Sequence, residues 1–169
     1  MLLFSLAQNN ENKIDDPFDV SKQLEQISKY GVPTIAIVND LKTKADALYE
    51  SESWKEAITA YKAYAEKANW LANLLSQCVQ PYYSAGYDDR KSVPYSFTSQ
   101  FLSIENKANE LKSNRNVAYV RMGISYKRSG DIKNAVAYLY KGLQYLDVKQ
   151  RTEWELAKNE LIEILGFND

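Results

Sequence analysis

Apolar positions recur every three or four residues over most of this chain, in runs separated by residues that cap or break helices. Asp16-Pro17 reads as an N-cap followed by proline at the first helical position; Phe18, Leu24 and Ile27 form one face, and Gly31 closes the segment. Pro33 opens a second run through Ile35, Ile37, Val38, Leu41, Ala45 and Leu48. Ser53-Trp54-Lys55-Glu56 matches a capping box, in which hydroxyl and carboxylate satisfy each other's free backbone N–H groups. It starts a long helix through Ala57, Ile58, Tyr61, Ala65, Ala68 and Leu71, which Pro81 should stop near residue 80. Residues 81–95, with Gly86, Asp88-Asp89-Arg90-Lys91 and Pro94, read as the one substantial loop.

From Phe97 to Lys127 the helical pattern resumes at Phe101, Ile104, Ala108, Leu111, Val117, Val120 and Ile124, with a bend or break expected at Asn114-Arg115-Asn116. Gly130-Asp131 should end that helix and cap the next, which carries Ala135, Tyr138, Leu139 and Leu143. Asp147 with Gln150 resembles another capping box, opening a last helix through Trp154, Ala157, Leu161 and Ile164 that Gly166 closes. No stretch alternates with period two. The chain is therefore expected to be all-α, with about seven helices and almost no β structure.

Two parts of the chain repeat each other. Aligning Ala45-x-x-Leu48 with Gly123-x-x-Tyr126 sets Trp54 opposite Ile132, Ala57 opposite Ala135 and Tyr61 opposite Leu139. In each copy a small residue on one helix precedes an alanine on the next, as needed where two helix backbones approach closely. This spacing resembles the tetratricopeptide (TPR) repeat over about 38–71 and 116–149. In the second copy Tyr119, Met122, Gly123, Tyr126, Gly130, Ala135 and Leu139 occupy the motif positions, while Gly142 replaces an alanine and Asp147 a proline. In the first, Leu41, Ala45, Leu48, Trp54, Ala57 and Tyr61 fit, but Tyr64 stands at a small position. Between the copies Val79, Tyr82 and Gly86 fall in frame, yet Lys91 takes an alanine slot and Pro81 sits inside the would-be helix. The long helices are expected to bridge this region, and the last helix to cap the open face of the second repeat.

The resemblance implies an α-solenoid of helical hairpins whose first helices line a groove for a peptide or partner protein. Its groove positions are Lys42, Asp46 and Tyr49 in the first copy, with Asn39 and Thr43 beside them. In the second copy they are Val120, Arg121, Ile124, Lys127 and Arg128, with Val117. Lys42 and Arg121 stand where one subgroup clamps a carboxylate, but Asp46 replaces that clamp's asparagine and would repel an anion. A looser groove using Arg121, Lys127 and Arg128 suits an acidic partner. Tyr82, Tyr83, Tyr87 and Tyr95 around the loop are candidate interface residues, since tyrosine offers large amphipathic contact area.

Composition narrows the chemistry. The 169 residues carry no histidine and a single cysteine, so the commonest general base and metal ligand are missing, as is any disulfide framework within the chain. Cys78 has no activating neighbour and is expected to be a small core residue. The adjacent pairs Asp15-Asp16 and Asp88-Asp89 cannot face each other across a cleft as two acid/base carboxylates must. No enzyme activity, metal or cofactor is expected. Net charge is −1, so no global field recruits nucleic acid, although residues 86–128 are locally basic. Single-strand binding by Arg115, Arg121, Lys127 and Arg128 with Tyr119 and Tyr126 is a lesser alternative.

No apolar run is long enough to span a bilayer. Residues 1–15 read as a flexible leader before a single domain over 16–169; Met1 to Gln8 resembles the tail of an export signal, with Ser5 and Ala7 spaced as before a cleavage site. A cytoplasmic protein is the default and an exported one, in a structural envelope or secreted assembly, the alternative. The expectation is a non-catalytic scaffold or adaptor, monomeric or weakly self-associating.

Overall fold

A computed structural model describes residues 19–167, except for the side chains of Tyr30 and Tyr83. Among these residues there are seven α-helices and no strand: α1 (Ser21–Tyr30), α2 (Ile35–Glu50), α3 (Trp54–Gln77), α4 (Tyr87–Lys91), α5 (Tyr95–Arg128), α6 (Ile132–Tyr145) and α7 (Arg151–Ile164). Short 3-10 turns at Tyr82–Ser84 and Val148–Gln150 complete the regular structure. The chain divides into two compact units, 1–32 and 33–169.

In the first unit, α1 starts where the Asp19 carboxylate accepts from Ser21 N (2.8 Å) and Ser21 Oγ (3.0 Å). Gly31 ends it at φ 68°, a left-handed conformation that costs glycine little, and its N–H donates to Ile27 O. The start expected at Asp16-Pro17, the Phe18 contact and the export-like leader lie outside the described residues.

The second unit is a succession of antiparallel neighbours. Thr34 caps α2 by accepting from Ile37 N at 3.2 Å. The α2–α3 turn passes through Glu52 at φ 59°, and Ser53 N donates back to Leu48 O. That turn corrects one expectation. Ser53 makes no side-chain cap; its Oγ lies 3.2 Å from Ser51 Oγ instead, so the box with Glu56 does not form. Val38, Ala45, Ala57, Tyr61, Tyr64, Ala68, Ala72, Leu111, Ala118 and Met122 make the main core, shared by α2, α3 and α5.

Helix α5 is continuous for 34 residues and does not break at Asn114-Arg115-Asn116. Polar side chains disrupt helices when they bond to nearby backbone. Here they are engaged elsewhere: Arg115 donates to Asn69 and Asn116, and Asn116 Nδ2 donates to Tyr145 O at 2.7 Å. Residues 81–95 are likewise more ordered than a loop. Asp88 and Asp89 sit in the first turn of α4, where the helix dipole favours them, and Arg90 Nε donates to Ala85 O at 3.1 Å.

Two glycines set the α5–α6 crossing. A Cβ on Gly123 would come within 2.7 Å of Leu139 Cγ, and one on Gly142 within 2.7 Å of Val120 Cγ2. Leu139 thus fills the space at Gly123, while Ala135 packs with Ile58 and Tyr126. Asp131 caps α6 by accepting from Asn134 N at 3.1 Å. The Asp147–Gln150 capping box is present, and Gln150 Nε2 also donates to Ser113 O on α5 at 3.0 Å. Helix α7 then covers Val120, Ile124 and Leu139 with Ala157, forming a second core.

Candidate functional site

Of the groove positions read from the sequence, Lys42, Asp46, Tyr49 and Arg121 come together. Lys42 and Asp46 lie one turn apart on α2, so their side chains share a face, with Nζ 2.6 Å from Oδ2. Arg121 of α5 reaches the other carboxylate oxygen, Nη1 to Oδ1, also at 2.6 Å. The Tyr61 hydroxyl on α3 donates to that same oxygen at 2.7 Å and accepts from Arg121 Nη1 at 2.9 Å. The guanidinium lies over the Tyr49 ring, 5.4 Å from its centroid. Beside this cluster is a cavity of about 180 Å³, whose walls also include Tyr64, Asn114, Val117 and Glu153.

The electrostatics follow from that packing. Burial by itself would raise the Asp46 pKa, but the hydrogen bonds from Lys42 and Tyr61 and the Arg121 charge outweigh it and hold the carboxyl below its usual range. Burial pushes the Tyr61 phenol well above its ordinary value, and Asp46 adds to that against Arg121. Tyr61 is consequently a fixed hydroxyl donor, and Asp46 an ionised acceptor. The site can recognise polar groups by hydrogen bonding. Sequence reasoning placed Tyr61 only in the core and missed Glu153; the four-residue register of Lys42 and Asp46 was the available signal.

The other groove residues lie against α7. Val120 and Ile124 are 1% and 3% exposed in the second core. Lys127 Nζ pairs with Glu160 Oε2 at 2.6 Å and Glu163 Oε2 at 2.8 Å, and Arg128 pairs with Glu160 Oε1 at 3.1 Å. Burial would lower the Lys127 pKa, but the hydrogen bonds its ammonium donates to Glu160 and Glu163 prevail and raise it. The cations read as facing an acidic partner thus already face carboxylates of this chain. Glu160 and Glu163, three apart on the last helix, were the overlooked signal.

The loop tyrosines separate. Tyr82 stacks on Phe101 (centroids 4.9 Å apart, planes at 29°), with Phe97 edge-on to Phe101. Tyr87 and Tyr95 are 73% and 83% exposed, and Lys91 Nζ stands 4.2 Å from the Tyr87 centroid. The side chain of Tyr83 lies outside the described residues. Cys78 is a correction: it is exposed, not core, because Ser76 and Val79 take the inward positions where α3 ends.

Among the described residues no group of three or more His, Cys, Asp or Glu is placed to hold a metal ion, and no helix is long and apolar enough to cross a membrane. No protein-family model, curated protein or solved structure matches the chain.

Proposed function

We propose that this chain is a non-catalytic interaction module, built on two tetratricopeptide-like hairpins (α2–α3 and the second half of α5 with α6), that takes a segment of a partner protein into the cleft beside Asp46 and Arg121. The observation supporting this reading is the convergence of Asp46, Tyr61 and Arg121 from three helices at the mouth of a cavity of about 180 Å³. Side chains that fix one another lose little further freedom on binding, so they can offer directed donors and acceptors at low entropic cost. Because Asp46 and Glu153 together match the charges of Lys42 and Arg121 in the cleft wall, a polar segment with little net charge suits this cleft better than a strongly acidic one.

Photo-crosslinking tests the reading without disturbing the ion cluster. A photoreactive amino acid at Val117, in the cleft wall, should capture a discrete partner from native extract; the same probe at the exposed Lys55 should not. Equal capture at both positions, or none at Val117, defeats the proposal.

A further inference from the structure

On another face, α3, α5 and α6 bring together a strip of tyrosines and cations. Tyr119 and Arg121 are two positions apart on α5, roughly 200° around the helix, so the strip points away from the Asp46 cluster and does not depend on it. Tyr126 stacks on Tyr138 with centroids 5.3 Å apart, and Tyr119 lies 6.4 Å from Tyr138. Each ring system carries cations. Lys62 Nζ is 5.4 Å from the Tyr126 centroid, Lys141 Nζ 4.1 Å from that of Tyr119, and the Arg115 guanidinium 5.8 Å from Tyr119. Lys62, Tyr119, Tyr138 and Lys141 line a cavity of about 230 Å³ in which Glu66 is the one acidic wall residue.

These cations differ from those of the α2–α5–α7 face. Among the described residues, Lys62, Arg115 and Lys141 make no ion pair, whereas Lys42, Arg121, Lys127 and Arg128 each do. The acceptors of Arg115 are the neutral amides of Asn69 and Asn116. A tyrosine ring attracts a cation by about 0.5–1 kcal/mol at an exposed site, which positions the charge without cancelling it. The two lysines of the wall are only partly offset by Glu66, so the cavity keeps a net positive charge with oriented head groups. Base stacking, in contrast, needs an open ring face. Lys141 and Arg115 lie over Tyr119, while Tyr126 is covered by Tyr138 and Lys62.

We infer that the cavity lined by Lys62 and Lys141, with Arg115 held beside it on the wall residue Asn69, docks an acidic peptide segment of a partner protein, its carboxylates meeting these cations and its backbone passing along the edges of Tyr119 and Tyr138. Charge complementarity selects the occupant: the lysines of the wall outnumber Glu66, its one carboxylate, and none of them is in salt-bridge contact among the described residues.

Fluorescence anisotropy with the full chain and a labelled peptide of alternating Glu and Gly, at low salt, tests this. Lys62→Glu with Lys141→Glu should weaken binding at least about tenfold, equivalent to ~1.4 kcal/mol. Lys62→Arg with Lys141→Arg should bind as the parent does, and so should Lys55→Glu, whose charge lies outside this cavity. Should the double Glu variant melt early, Lys62→Gln with Lys141→Gln removes the charge without new repulsion and should still lose affinity. The inference is overturned if the parent does not bind the peptide, if Lys55→Glu weakens binding as much as the double variant, or if single-stranded oligothymidylate displaces the peptide at lower concentration.

Discussion

Arg121 on α5 and Asp46 on α2 are 75 positions apart in sequence, yet their Nη1 and Oδ1 atoms stand 2.6 Å from each other. With Lys42 and Tyr61 also donating to Asp46, a single carboxylate ties together α2, α3 and α5. The helices meet through apolar side chains; this pair fixes how α2 is set against α5. A hydrogen bond to a charged partner is worth about 1.5–3 kcal/mol when sheltered and less when water reaches it.

Stability should therefore fall on acidification in an Asp46-dependent way. The folded pKa of Asp46 lies below its unfolded value, so its contribution is fully present above about pH 4 and disappears as pH falls through the folded value. Asp46→Asn should cost about 1–2 kcal/mol at neutral pH, with the gap to the parent closing in acid. Urea midpoints measured across pH decide this. A gap that persists unchanged at about pH 2 means the carboxylate is not the source.

The α5–α6 crossing makes a second prediction. Gly123→Ala gains helix propensity of about 1 kcal/mol. Against that, its Cβ meets not only the Leu139 side chain but Leu139 N at 2.9 Å, so backbone must move. Overpacking of this kind costs about 1–3 kcal/mol and should win. Gly142→Ala meets only the Val120 side chain within 3 Å, but that valine is 1% exposed and stiff at χ1, so it should also destabilise, by less. Thermal melts should rank parent above Gly142→Ala above Gly123→Ala. Equal melting temperatures would mean the crossing is looser than described.

How much of this was legible in the sequence depended on the range of each interaction. Local signals were readable: Gly31 and Asp131 act within a few residues and cap at the expected ends, and the Asp147–Gln150 box forms too, on the 3-10 turn that leads into α7. Ser53-x-x-Glu56 carried the same kind of signal and failed, because the Glu52 turn redirects the serine toward Ser51. Asn114-Arg115-Asn116 looked like a helix break since its bonding partners, Asn69 and Tyr145, lie on other helices. Charges at the site failed for the same reason. Lys127 and Arg128 looked free until α7 placed Glu160 beside them, more than 30 residues away in sequence.

The exposure of Cys78 leads to a direct chemical test. A thiol at the exposed end of α3 should react with a maleimide in the native protein to full occupancy, without denaturant. Labelling should leave the melting temperature within about 2 °C of the parent, since no core contact is lost. Intact-mass measurement reads the occupancy. A thiol that reacts only after denaturant is added would return Cys78 to the interior.

The attachment of α7 turns on Lys127 and Glu160, whose side chains are only 10% and 11% exposed. Removing one member of so sheltered a pair strands the other, at about 3–5 kcal/mol when no substitute exists. Each has one here: Glu163 can hold Lys127, and Arg128 can hold Glu160, though both substitutes are substantially exposed. The single changes Lys127→Met and Glu160→Leu should accordingly cost about 2–3 kcal/mol each, below the full penalty. The double change removes both buried charges and adds apolar surface beside Ile124 and Ala157, so it should cost less than the two singles combined. A double-mutant cycle by urea denaturation measures the difference. Strict additivity would show that Lys127 and Glu160 are not coupled to each other, leaving the apolar contacts of Val120, Ile124, Leu139 and Ala157 and the separate pairs with Glu163 and Arg128 to hold α7.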